Sequence, residues 1–455
     1  MLPDDVLLAI FDFCIGGGVI LKEEVEAWQS LVHVCRQWRT VVFGSSRRLN
    51  LQLFCSTETQ KPLRGMLDVW PTLPLVIDGD ISETEELDNT IAVLERSDRV
   101  CYINLADFSS YWETISAAMQ KPFPKLTDLQ LSSSNAVTVV PDSFLDGSAP
   151  RLKYLWLDGI PFPGLPKLLL FASRLLVLHL SNIPHSGYFS PEAIVTALST
   201  MTNLGFLTLE FQSPRFLLHG QSRRPPPPTR TDLPILRQLM FKGVSEYLED
   251  LVARINAPRL FFLDITLFNQ IVFDAPQFAK FISRTPKFKV LEDARLAFTS
   301  TAAGVTFLLK TAFDYGKLVV NVSCRDSDWQ VSSLEQVCTS CLPPFSALED
   351  LRINEDPESP PDWQDNIENT LWLELLHPFS AVKNLYLSEI FAPRIAPALQ
   401  ELVGARTTEV LPILQNIFLE GLEPSGPAHE GIVEFAAARQ LSGHPIMVSF
   451  WERDT

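Results

Sequence analysis

The sequence predicts an α/β protein in two parts: a short all-helical N-terminal module, then a long array in which strands alternate with helices. Three observations predict it. The first fifty residues place apolar side chains three or four apart, the spacing of helices. From Leu126 onward a pattern L-x-x-L-x-L returns repeatedly. Between its copies lie helix start signals.

The helical module comes first. Pro3 suits the first position of a helix, where its missing N–H costs nothing, and Asp4 and Asp5 suit the positive end of the helix dipole. From Val6 to Cys14 only Asp12 interrupts an apolar run. A helix apolar nearly all round must bury two faces, and a module of about fifty residues has too small a core to cover both. One face is therefore expected to be covered from outside. Gly16-Gly17-Gly18 breaks the helix. Trp28, Leu31, Cys35, Trp38 and Val42 then predict one helical stripe, which Gly44 is placed to stop.

The array follows. Clear copies of the pattern are Leu126-Leu129-Leu131, Leu152-Leu155-Leu157, Leu175-Leu178-Leu180 and Leu204-Leu207-Leu209. It continues with substitutions at Leu236-Leu239-Phe241, Leu260-Leu263-Ile265, Leu348-Leu351-Ile353, Val382-Leu385-Leu387 and Leu414-Ile417-Leu419. Degenerate copies sit near Phe288-Leu291 and Leu318-Val320-Val322. Successive copies are 23 to 34 residues apart. Within each, the second and third apolar residues alternate, so they point to one side of a short strand.

Helices are expected between the strands. Ser82-Glu83-Thr84-Glu85 reads as a capping box ahead of Leu87, Ile91 and Leu94, and Ser190-Pro191-Glu192 opens another helix. The stretches 276–283 and 430–441 read the same way. Strand and helix alternating at this period give parallel strands on a concave side with helices outside. Trp156, between Leu155 and Leu157, is expected to face outward on that concave sheet, as an aromatic anchor for a partner. A proline-rich insertion near 221–232, centred on Pro225-Pro226-Pro227-Pro228, cannot continue a helix. It reads either as a tolerated surface loop or as a docking peptide.

Composition narrows the function. The 455 residues are 46% hydrophobic and 20% charged, enough apolar content for a sizeable core, and the net charge of −17 repels a nucleic-acid backbone. Seven scattered cysteines show no disulfide framework. The acidic start lacks the basic region of a signal peptide, and no apolar run is long enough for a membrane span. A reduced, cytoplasmic or nuclear, non-secreted protein is expected, with neither nucleic acid nor membrane as partner.

Catalytic motifs are missing: no Gly-rich phosphate loop, nucleophile elbow or H-E-x-x-H occurs. Cys338-Thr339-Ser340-Cys341 is a lone pair that cannot supply four zinc ligands. His33, His179 and His377 are isolated, and the acidic runs read as solvated faces. No catalytic residue, cofactor or metal is expected.

The module carries a resemblance. Leu2-Pro3-x-Asp5 with Ile10-Phe11, and later Leu31-x-x-Val34-Cys35-Arg36-x-Trp38-Arg39, resembles the F-box of receptors in SCF-type cullin–RING ubiquitin ligases. That resemblance implies docking to a Skp-type adaptor, and through it to cullin, by Leu2, Pro3, Leu7, Ile10, Phe11, Leu31, Val34 and Cys35. The array resembles leucine-rich repeats. The order of the two, with Leu49–Cys55 leading into Trp70-Pro71-x-x-Pro74-Leu75, is similar to a large group of such proteins in basidiomycete fungi.

The expected organisation is an F-box at 1–50, a linker at 51–72 and repeats over 73–455. The implied role is a non-catalytic substrate receptor that tethers an unknown protein substrate. The alternative is a non-degradative repeat scaffold with a structural helical cap.

Overall fold

Each copy of the leucine pattern, the two degenerate ones apart, folds as a tight turn that launches a strand. The first leucine donates its N–H to the carbonyl three residues back: Leu126 to Phe123 at 3.2 Å, Leu152 to Ala149 at 3.0 Å and Leu260 to Ala257 at 3.2 Å. Pro124, Pro150 and Pro258 occupy the second position of these turns, where the fixed proline φ belongs. The first leucine is buried, and so are the second and third; Leu126, Leu129 and Leu131 have no exposed surface. Three such side chains stabilise each copy by about 1.5–3 kcal/mol apiece, against about 1–2 kcal/mol per ordered backbone residue. No copy stands alone on those terms, so each needs its neighbours.

A computed structural model describes residues 2–15, 22–56, 63–69, 72–135, 139–161, 167–214, 229–269, 273, 275–289, 291, 293–309, 316–363, 367–421 and 426–451. The chain divides into two compact units, Met1–Leu204 and Gly205–Thr455. Gly16-Gly17-Gly18, Trp70-Pro71 and 221–228 of the proline-rich insertion lie outside the described residues.

The first unit opens with helices α1 (Asp4–Ile15), α2 (Lys22–Val34) and α3 (Arg36–Gly44). Pro3 stands just before α1, its carbonyl accepting the N–H groups of Val6 and Leu7. The stripe from Trp28 to Val42 is divided between two helices, because Cys35 is extended (φ −160°, ψ 171°) and starts a new helix by accepting the Arg39 N–H. Cys35 is thereby exposed, while Trp28, Leu31, Val41 and Val42 are buried. Phe11 closes the small core edge-on against Trp38, with ring centroids 5.0 Å apart.

The segment 51–72, expected as a linker, carries the first strand, β1 (Leu53–Ser56), and helix α4 (Leu63–Val69). All four residues of β1 are buried, and the strand pairs in parallel with β2 (Leu75–Asp80), Leu53 opposite Leu75. Leu49, Leu51, Leu53, Phe54 and Cys55 are all buried while Asn50 stays exposed, and burying that apolar set draws the segment into the sheet.

The unit continues through α5 (Thr84–Leu94), β3 (Val100–Ala106), α6 (Trp112–Ala118), β4 (Asp128–Ser132), β5 (Tyr154–Asp158), α7 (Lys167–Phe171), β6 (Val177–Ile183) and α8 (Pro191–Leu198). Strands β1 to β6 lie in chain order and are all parallel. Helix α8 starts as expected, with Ser190 Oγ accepting the Ala193 N–H. Helix α5 starts one residue later than expected: Glu86 reaches back to the N–H groups of Ser82 and Glu83, so Glu83 is the cap. Along α5, Asn89, Thr90, Val93 and Leu94 face inward, and Leu87 and Ile91 are half-buried.

The second unit contains β7 (Phe206–Phe211), β8 (Thr231–Asp232), β9 (Gln238–Gly243), α9 (Ser245–Arg254), β10 (Ile255–Asn256), β11 (Phe262–Phe268), α10 (Pro276–Arg284), β12 (Asp293–Phe298), β13 (Ala302–Leu309) and β14 (Gly316–Ser323). It ends with α11 (Ser327–Gln336), β15 (Asp350–Glu355), α12 (Asn369–Leu376), β16 (Asn384–Leu387), α13 (Ala392–Gln400), β17 (Asn416–Glu420), α14 (Pro427–Leu441) and β18 (Met447–Trp451).

Here the expected all-parallel order fails. The strands run β7-β9-β11-β14-β13-β12-β15-β16-β17-β18, and β13 is antiparallel to both neighbours. The cause is a hairpin in place of a helical crossover: Thr299 N–H bonds the Ala302 carbonyl, and Thr299 Oγ1 accepts from the Thr301 and Ala302 N–H groups. The two degenerate leucine copies flank this reversal.

Candidate functional site

Two surfaces of the first unit answer to the expected sites. On the N-terminal module the eight expected adaptor contacts divide. Leu7, Phe11 and Leu31 are buried, Leu7 and Phe11 almost completely, so these three hold the module together and offer no contact surface. Leu2, Pro3, Ile10, Val34 and Cys35 are exposed.

The reason lies in the spacing along α1. Leu7, Leu8 and Phe11 form its inner face, whereas Leu2, Val6, Ile10 and Phe13, four, four and three apart, form an outer apolar face open to water. Phe13 is 94% exposed. Gln37 on α3 donates its side-chain amide to the Leu2 carbonyl and the Asp4 carboxylate, both at 3.2 Å. The α2–α3 junction, with exposed Val34 and Cys35, therefore sits beside the start of α1. Val6 and Phe13 were missing from the expected set; the spacing from Leu2 through Ile10, four residues, four and then three, is the signal that finds them.

On the other side the module is anchored. The Trp28 indole N–H donates to the Gln52 carbonyl at 2.8 Å, and α2 lies against β1.

The second surface is the sheet face of β2–β6 that points away from the buried leucines. Trp156 stands there as expected, 43% exposed, with Tyr154 two residues before it at 40%. Register places Gln130, Trp156 and His179 in one row across β4, β5 and β6. The indole stacks on the His179 ring, centroids 3.5 Å apart and planes at 18°. Burial pushes the imidazole down to about 4, against the pull of Asp158, so it is neutral near pH 7.

Hydrogen bonds fix its tautomer. Ser181 Oγ donates to Asp158 Oδ1 at 2.8 Å, so the contact of 3.0 Å between His179 Nε2 and Ser181 Oγ requires the proton on Nε2. His179 is thus not isolated, as its sequence context suggests, but holds the indole flat.

The second unit presents a different face. Arg352 pairs with Asp293 at 2.6 Å and lies 4.9 Å over the Tyr386 ring, which stacks on Phe418 at 4.6 Å. Its charges are matched within the sheet. Cys338 and Cys341 are buried and close α11 in a wide turn instead of opening a helix, and burial pushes the Cys338 thiol well up, the opposite of a reactive thiolate. A pocket of about 130 Å³ near Ser283, Phe288 and Lys289 holds no convergent set of polar groups.

Among the described residues no cluster of three or more His, Cys, Asp or Glu side chains could hold a metal, and no helix is long and apolar enough to cross a membrane. Compared with models of protein families and with curated proteins, the chain matches none.

Proposed function

We propose that this chain is the substrate-recognition subunit of an SCF-type cullin–RING ubiquitin ligase. In this reading α1–α3 are an F-box that holds a Skp-type adaptor, and the strand–helix array is a leucine-rich-repeat region that holds a protein substrate. The observation that carries it is the outer face of α1. A helix whose inner face already closes its module keeps Leu2, Val6, Ile10 and Phe13 in water, an arrangement that costs solubility unless a partner covers it. The exposed α2–α3 junction beside it extends the same surface.

The role is tethering. Holding substrate and ligase core on one chain raises their effective concentration and fixes their orientation, and the reactive groups belong to other subunits. No residue of this chain acts as nucleophile or base.

A second reading, a non-degradative scaffold with a helical cap, draws support from the anchoring of α2 on β1 through Trp28. The two differ in what the outer face of α1 does. The test is capture of a purified Skp-type adaptor by the full chain, compared with Ile10→Glu/Phe13→Glu. Capture by the wild type and loss in the variant, with unchanged thermal unfolding, supports the receptor. If the wild type captures no adaptor, the receptor reading is withdrawn and the cap stands.

A further inference from the structure

The sheet face of the first unit has a charge pattern the second lacks. Strands β2–β6 contain Asp78, Asp80, Asp128 and Asp158 and not one lysine or arginine. All four acids fall on outward positions, in the rows of Tyr102, Tyr154 and Trp156 or directly beside them. The lysines nearest these acids stand just ahead of β4 and β5, as Lys125 and Lys153, and Lys153 acts on Asp128 without forming an ion pair with it. Among the described residues Asp78, Asp128 and Asp158 form no ion pair. Strands of the second unit, by contrast, carry Lys242, Arg295, Lys317 and Arg352.

Geometry sets the acids around the indole. Asp158 is two residues from Trp156 on the same strand, about 7 Å along it. Asp128 lies opposite Tyr154 on the neighbouring strand, toward the other end. The two carboxylates therefore bracket Trp156 over about 14 Å, roughly four residues of extended chain. His179 covers one side of the indole and, being uncharged near neutral pH, brings no positive charge to compete. What remains is a held aromatic ring with an acid on either side, the arrangement that favours an ammonium or guanidinium group over the ring.

We propose that this face docks a lysine- and arginine-bearing extended segment of a partner protein, with Trp156 as its anchor. This rests on the reading of the sheet face as the partner-binding surface, and not on the identity of the N-terminal module. The partner's cations would meet Asp128 and Asp158 while its chain crosses Trp156. An anionic partner, whether acidic peptide, nucleic acid or anionic lipid, is repelled by the same four carboxylates.

The test uses the full chain and two labelled peptides of about a dozen residues, one alternating Lys and Arg with Gly and Ser, the other with Glu in place of the basic residues. Fluorescence anisotropy should show binding of the basic peptide alone, weakening as salt is raised. Trp156→Ala and, separately, Asp128→Asn/Asp158→Asn should each weaken it about tenfold, and Trp156→Phe should restore most of the loss.

The control is Glu85→Gln/Glu113→Gln, which removes two charges from exposed positions on α5 and α6 and should change affinity by less than about twofold. Equal losses from both double variants would mean attraction by net charge alone and would overturn the proposal, as would equal binding of the acidic peptide or no binding of the basic one. Adaptor capture, measured on the same samples, reports separately on the receptor reading.

Discussion

Trp28 on the second helix donates its indole N–H to the Gln52 carbonyl at 2.8 Å, and so joins the helical module to the chain one residue before the first strand. The ring is 1% exposed and also meets Phe43 edge-on at 5.9 Å. Trp28→Ala should destabilise the first unit by about 3–5 kcal/mol, and Trp28→Phe by about 1 kcal/mol for the hydrogen bond. Hydrogen exchange at Leu53–Ser56 checks the location: protection there should fall before that of β4 and β5 does.

The two faces of α1 contribute unequally to stability. Phe11→Ala should cost about 3–5 kcal/mol and Leu7→Ala about 2–5 kcal/mol, because each leaves a cavity in a small core. Ile10→Ala should change stability by no more than about 0.5 kcal/mol, since its side chain is 39% exposed. Denaturant unfolding distinguishes them, and equal costs would place Ile10 in the core instead.

Much of this was legible in the sequence. The leucine pattern marks strands because burial repeats every second residue, and the structure places Leu129/Leu131, Leu155/Leu157 and Leu178/Leu180 in register across β4, β5 and β6. The antiparallel β13 was not legible. Its turn, Thr299-Ser300-Thr301, has no glycine, asparagine or proline to announce a hairpin, and it is closed by one backbone bond together with one threonine hydroxyl. The α1 faces were legible only in part: an all-apolar run says that two faces need cover, but not which residues fall on each. The stack of Trp156 on His179 depends on register between strands 23 residues apart, which spacing within one strand cannot report.

Arg439 is fully buried on α14 and donates to the carbonyls of Thr407 at 2.7 Å, Pro412 at 3.2 Å, and Leu411 and Leu414 at 3.4 Å. It ties down the turn that launches β17. Arg439→Met should lower stability by at least about 3 kcal/mol, since several carbonyls lose a charged donor where water does not reach. Retention of wild-type stability in this variant would show that the turn holds without it.

Gly159 follows β5 with φ +71°, and a Cβ there would lie 2.3 Å from the Ser133 carbonyl oxygen. Gly159→Ala combines a left-handed backbone, about 1–2 kcal/mol, with a backbone clash, so its cost should exceed about 2 kcal/mol. The peptide binding of the adjacent sheet face should weaken with it.

His179 gives the fold a pH dependence of known sign. Its folded value near 4 lies below the ordinary value of 6.5, so between these the unfolded chain binds a proton that the folded chain does not. Stability from this residue is complete above about 6.5 and declines as the pH falls toward 4. In His179→Gln the drop in thermal midpoint between those two limits should shrink. An unchanged drop would place the acid sensitivity elsewhere.

The hairpin between β12 and β13 also bears on how the chain is made. Because β11 pairs with β14, its partner strand leaves the ribosome only after residues 269–315 have been synthesised. At about 5–20 residues per second that is a wait of roughly 2–10 s, during which β11 presents an unpaired strand edge to solvent. In the first unit, whose strands pair in order of synthesis, only 18–21 residues separate successive strands, less than half that wait. The second half of this protein is therefore where a chaperone has most to shield, and where a slow codon or a premature stop would do most harm.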